Sequence, residues 1–140
     1  MDRIIDQEPK QYCVCGRFWE ANTLAEFWQK WNPAVHKLYA KFMRWVYGQT
    51  QNKVLILMSV FAIFIFTGLW HDLVVWVITG GSSGSQFLWA TFFFLNGTMV
   101  VIEKLLPFTI PIPLRLKKLL TFVWLPVSMA LSFPLTNYLF

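Results

Sequence analysis

Charge is what this sequence has little of. Of its 140 residues only 14% are charged, against 56% hydrophobic and 19% aromatic, with a mean hydropathy of +0.50. Soluble domains carry about 25% charged residues, so a soluble metalloenzyme or a nucleic-acid binder is excluded and a membrane protein is expected. Acid is scarcer than base, seven residues to twelve. The basic residues gather in Lys30 to Lys53 and Lys104 to Lys118 with no separate basic domain, which suits a cytosol-facing membrane surface. Cysteine is almost missing, with Cys13 and Cys15 the only two. A disulfide across one intervening residue is strained, and a structural zinc site needs about four ligands, so no metal site is expected. Reduced cytosolic thiols are the simpler reading, with palmitoylation open to them. The N-terminus, MDRIIDQEPKQYCVCG, lacks the apolar core of a signal peptide, so insertion is expected to begin at an internal span.

What is present is helical periodicity and long apolar text. The expected fold is an all-α membrane protein: an amphipathic interfacial helix, then about three transmembrane helices, as part of a larger helical bundle. Residues 1–22 read as a cytosolic N-terminal segment. In 23–46, TLAEFWQKWNPAVHKLYAKFMRWV, the apolar positions recur at spacings of three and four, while Glu26, Lys30, Lys37, Lys41 and Arg44 cluster opposite. Such a helix is expected to lie in the membrane surface with its lysines towards the headgroups. Pro33 predicts a break or kink at Asn32. Residues 54–140 form the transmembrane region, with spans expected over about 54–78, 87–103 and 119–140. The first span is long enough to cross with tilt or with a break near Gly68, TGGSSGS at 79–85 is a flexible turn, and PFTIPIP at 107–113 returns the chain at the interface. Pro126 and Pro134 inside the last span imply neighbouring helices that satisfy the freed carbonyls. Lys37, Lys41, Arg44 and Lys53 precede the first span and Lys104, Arg115, Lys117 and Lys118 lie between the second and third, whereas 79–85 has no basic residue, so the basic flanks are expected to be cytosolic and 79–85 lumenal.

His71 and Asp72 stand inside the first apolar run. A charged side chain at bilayer depth costs on the order of 2.5 kcal/mol or more, so such residues face a bundle interior or a water-filled cavity and mark function. A neutral imidazole in a partly dry cavity is a competent base near neutral pH. The plainer reading is a neutral histidine hydrogen-bonded between helices, with Asp72 near a break.

The residues Phe27-Trp28-Gln29-Lys30-Trp31-Asn32 (FWxxWN), followed some 40 residues later by Gly68-Leu69-Trp70-His71 (GLWH) in an apolar run, resemble the catalytic region of the membrane-bound O-acyltransferases. FFFLNGTMVVIEKLLP, residues 92–107, and LSFPL near the C-terminus are most similar to the wax-synthase branch. The resemblance covers 18–140, the C-terminal part of a full-length member. It implies transfer of a fatty acyl group from acyl-coenzyme A, a co-substrate with no further cofactor, to a hydroxyl acceptor such as a long-chain alcohol. His71 would be the general base and Asn32 the second polar residue, with Trp28, Trp31, Trp70 and Asp72 in support. It also implies a multi-pass membrane location, the endoplasmic reticulum in a eukaryote. Asn32 has its own alternative, a helix cap before Pro33. His36 resembles a histidine of the sterol and diacylglycerol branch, but its place towards the polar side gives it a surface role. The sequon at Asn96 lies within an apolar span and is expected to be unused. Three spans enclose no acyl tunnel, so a helical partner or an upstream half is expected. The second reading is a non-catalytic membrane subunit that docks partner helices.

Overall fold

The computed structural model describes residues 17–81, 87–105 and 113–139, with side chains described to residue 136. Cys13, Cys15, most of the 79–85 turn and nearly all of PFTIPIP lie outside the described residues. Among the described residues all regular structure is helical. A short 3-10 turn (Phe18–Glu20) precedes α1 (Leu24–Trp31), α2 (Pro33–Gln49), α3 (Lys53–Ile78), α4 (Leu88–Leu105) and α5 (Leu114–Leu139). The last three are long and apolar enough to cross a membrane. The chain is an all-α membrane protein.

Local chemistry explains the helix ends. Asn52 caps α3 by accepting the Val54 N–H at 2.9 Å. At the other end Gly80 and Gly81 both take positive φ, and the Gly81 N–H donates to the Trp76 carbonyl at 2.9 Å. Between them the helix is unbroken, about 39 Å at 1.5 Å per residue. Of the two alternatives, tilt or a break near Gly68, the helix carries no break, because the missing side chain serves packing instead. A Cβ at Gly68 would sit 2.7 Å from the Ala90 Cα, so α3 and α4 touch backbone to backbone there. The α4 helix runs on through Glu103 and Lys104, past its expected end. The α5 helix begins five residues earlier than expected, with the Leu116 and Lys117 N–H groups turning onto the Pro113 carbonyl. It stays helical through Pro126 and Pro134.

Two carboxylates tie helix ends to neighbouring helices. Asp72 of α3 accepts from the Trp89 and Ala90 N–H groups at 2.9 and 2.7 Å. Glu103 of α4 accepts from the Leu24 and Ala25 N–H groups at 3.1 and 3.2 Å. Thr23 takes the Glu26 N–H at 3.1 Å, so the first three donors of α1 are all satisfied. Both carboxylates sit where a helix dipole favours negative charge. Asp72→Ala and Glu103→Ala are each expected to cost about 2 kcal/mol, from lost charged hydrogen bonds and a lost cap. Unfolding in detergent measures the loss, and an unchanged transition for both variants would refute the capping account.

The arrangement follows from these ties. With Asp72 beside residues 89–90 and Phe64 beside Gly97, α3 and α4 are antiparallel. Across α4 and α5 the buried Asn96 donates to the Phe92 carbonyl at 2.8 Å and to Ser128 Oγ at 3.1 Å. Asn96 is thus fully buried between the two helices. The α1 helix starts beside Glu103 and points along α4. Its Trp28 ring packs on Phe64, Phe92 and Phe93 at centroid distances of 5.7, 6.1 and 5.2 Å.

The amphipathic segment expected over 23–46 is thus two helices, broken at Asn32 as Pro33 predicts. The α2 helix runs back lengthwise along α3. Phe42, Trp45 and Val46 share a groove with Leu55, Met58, Ser59 and Ala62, and Tyr39 meets Thr67. Thr67 lies about 21 Å along α3 from Lys53. The apolar arc of α2 thus rests on α3.

Candidate active site

His71 sits on α3 one turn after Thr67. Its Nδ1 lies 2.7 Å from the Thr67 carbonyl oxygen. A carbonyl only accepts, so Nδ1 carries the proton and donates. In the neutral ring that leaves the lone pair on Nε2. The ring lies against two aromatic faces of α4, Trp89 at 5.6 Å and Phe93 at 5.2 Å, tilted by 39° and 35°. The residue is exposed among the described elements. Its Nε2 is therefore a basic atom of defined tautomer on an open, aromatic-floored surface.

Asn32 stands at the bend between α1 and α2. Its Oδ1 accepts the Val35 N–H at 3.2 Å, with Pro33 at the first helical position, so the cap reading holds. The cap consumes only the oxygen. The Nδ2 donors of Asn32 have no partner among the described residues, so a cap and a spare donor coexist on one side chain. Asn32 and His71 share no hydrogen bond. Their levels correspond, however. From Tyr39, opposite Thr67, Asn32 lies seven residues back, about 10 Å along α2, while His71 lies about 6 Å beyond Thr67 on antiparallel α3. The bend and the histidine are on the same side of the Tyr39–Thr67 bond.

The other residues singled out divide. Trp28 is a core ring joining α1 to α3 and α4. Trp31 stacks on Phe27 at 5.4 Å and meets Phe18 at 5.0 Å. Trp70 points off α3, 55% exposed. Asp72 is spent on the end of α4, where it holds Trp89, one wall beside His71, rather than touching the imidazole. His36, expected at the surface, is half-buried, and loss of solvent lowers its pKa below the ordinary histidine value. It is neutral at pH 7.

Residues not singled out from the sequence complete the site. Trp89 and Phe93 floor it, and Thr67 and Tyr39 brace it. Only Thr67 left a sequence signal, four residues before His71 and so on the same helical face. Among the described residues no group of three or more His, Cys, Asp or Glu is placed to hold a metal.

Comparison with family models, curated proteins and solved structures finds no match for this chain.

Proposed function

We propose that the chain carries the catalytic centre of an O-acyltransferase that moves a fatty acyl group from acyl-coenzyme A to a hydroxyl acceptor, a long-chain alcohol being the type. The observation that carries this reading is the 2.7 Å approach of His71 Nδ1 to the Thr67 carbonyl, a contact that assigns the proton to Nδ1 and leaves Nε2 open. Nε2 takes the proton of the alcohol as its oxygen attacks the thioester carbonyl carbon. The C–O bond forms, and the oxyanion is met by the spare Nδ2–H of Asn32. Collapse breaks the C–S bond, and the imidazolium returns its proton to the leaving thiolate. Ester and free coenzyme A thiol leave, and the histidine is neutral again. The faces of Trp89 and Phe93 favour the transient imidazolium.

The basic face of α2 supports the donor assignment. Lys37, Lys41 and Arg44 project within about 60° of one another, away from Tyr39 and Val46, which face α3. All three are exposed and unpaired among the described residues. Beside an apolar span such cations demand water or anions, because lipid tails would charge each about 2.5 to 3.5 kcal/mol. A polyphosphorylated co-substrate satisfies them. The same face favours the second reading in one respect: polar neighbours must cover it, so a partner helix or upstream segment completes the site.

On this reading the basic ends of the spans face the cytosol, and in a eukaryote the membrane is that of the endoplasmic reticulum. A glycosylation tag inserted within 80–85 is then modified from the lumen, and a protease site there resists cytosolic protease. Cleavage from the cytosol would reverse the orientation. The activity itself is tested by ester formation from labelled acyl-coenzyme A and a long-chain alcohol in membranes holding this chain.

A further inference from the structure

Three short hydrogen bonds converge on Thr67. Its Oγ1 donates to the Ile63 carbonyl at 2.7 Å, which uses its single proton. The 2.6 Å contact between Thr67 Oγ1 and the Tyr39 hydroxyl is therefore donated by Tyr39. The Thr67 carbonyl accepts from His71 Nδ1. One residue thus receives α2 through its side chain and orients the imidazole through its backbone.

We infer that Tyr39 is a positioning residue for His71, acting through Thr67. The inference rests on the reading of His71 as the base. Tyr39 joins α2 to α3 through its hydrogen bond to Thr67, one turn below the imidazole. It sets the separation of the two helices where the space beside His71 opens, with Asn32 on the α2 side and Trp89 and Phe93 on the α4 side. The bond also holds Thr67 in the rotamer that keeps its hydroxyl on Ile63. Freed from Tyr39, that hydroxyl and its helical turn relax, and the carbonyl facing Nδ1 shifts with them. Part of the histidine population then moves its proton to Nε2, where it cannot serve as base.

Tyr39→Phe tests this, because it removes the hydroxyl and keeps the ring. The readouts are turnover, its pH profile and the histidine ¹⁵N spectrum of the full chain in lipid, recorded in a His36→Gln background so that only His71 reports. The unsubstituted Tyr39 protein is expected to show the Nδ1–H form alone. Tyr39→Phe is expected to show both tautomers, with kcat reduced about tenfold or less, the scale of one neutral hydrogen bond, and KM for acyl-coenzyme A little changed. Thr67→Val should reproduce this and Thr67→Ser should restore it. An unaltered tautomer ratio in Tyr39→Phe overturns the inference, as does a rise in KM with kcat intact. The spectrum needs no turnover, so loss of the acyltransferase reading leaves this test standing.

Discussion

In His71→Ala, ester formation is expected to fall by about a hundredfold or more at matched protein level. Positioned acid–base catalysis contributes about 10² to 10⁴. On the proposed reading the base is one atom, Nε2, left open by the bond from Nδ1 to Thr67. Alanine removes that atom and leaves α3 more apolar, so insertion persists. Asn32 separates cap from donor within the same assay. Asn32→Asp keeps an oxygen for the Val35 N–H, and hence the start of α2, but loses the Nδ2 donors and adds a charge facing the oxyanion. It is expected to lower turnover while leaving thermal unfolding near that of the parent, whereas Asn32→Ala lowers both. His36→Ala does little, since His36 forms none of the bonds at His71. Full activity in His71→Ala would remove the catalytic reading. Inactivity of every variant and of the parent, with an upstream half supplied, would leave the membrane-subunit reading.

What the amino-acid text discloses of this architecture is uneven, for physical reasons. Apolar runs of span length need no partner to be recognised, so α3, α4 and α5 are legible, and a proline after Asn32 discloses the break between α1 and α2. His71 is legible because a titratable group in such a run is costly. The carboxylates are less so. Glu103 reads as the end of a span until α1 is docked, 79 residues away in sequence, and its oxygens are seen to close the N-terminus of that helix. Asp72 reads as part of the titratable pair, yet its ligands are backbone N–H groups that leave no side-chain signature. The pairing of Tyr39 with Thr67 depends on the register of α2 against α3, which an amphipathic period leaves open: the same stripe fits a headgroup boundary or a neighbouring helix. Gly68 illustrates the ambiguity most sharply, since a glycine in an apolar run is equally a hinge or a contact, and only the neighbouring backbone decides.

That contact yields the largest expected loss of stability. At Gly68 a Cβ would meet the Ala90 Cα at 2.7 Å, the Trp89 carbonyl oxygen at 2.9 Å and the Ala90 nitrogen at 3.1 Å. All three are backbone atoms, so no rotamer change relieves the overlap. The N-terminus of α4 would have to move away from α3, breaking the two bonds from Asp72 and drawing Trp89 off His71. Small residues at helix contacts in membranes permit this approach, and their enlargement forfeits the dispersion contacts that hold the pair together. Gly68→Val is therefore expected to destabilise by about 3 kcal/mol or more, beyond the usual cost of overpacking a yielding site. Gly97→Ala should cost less, because its Cβ would meet side-chain atoms of Phe64 and Phe61 at 2.8 to 3.2 Å, which can shift in part. Gly48→Ala is the control: nothing lies within 4 Å, so only helix propensity changes, and stability is expected to rise by up to about 1 kcal/mol. Unfolding in a single detergent, read by loss of helical signal against denaturant, ranks the three. An order other than Gly68→Val below Gly97→Ala below Gly48→Ala would show that α3 and α4 are not joined backbone to backbone at this point.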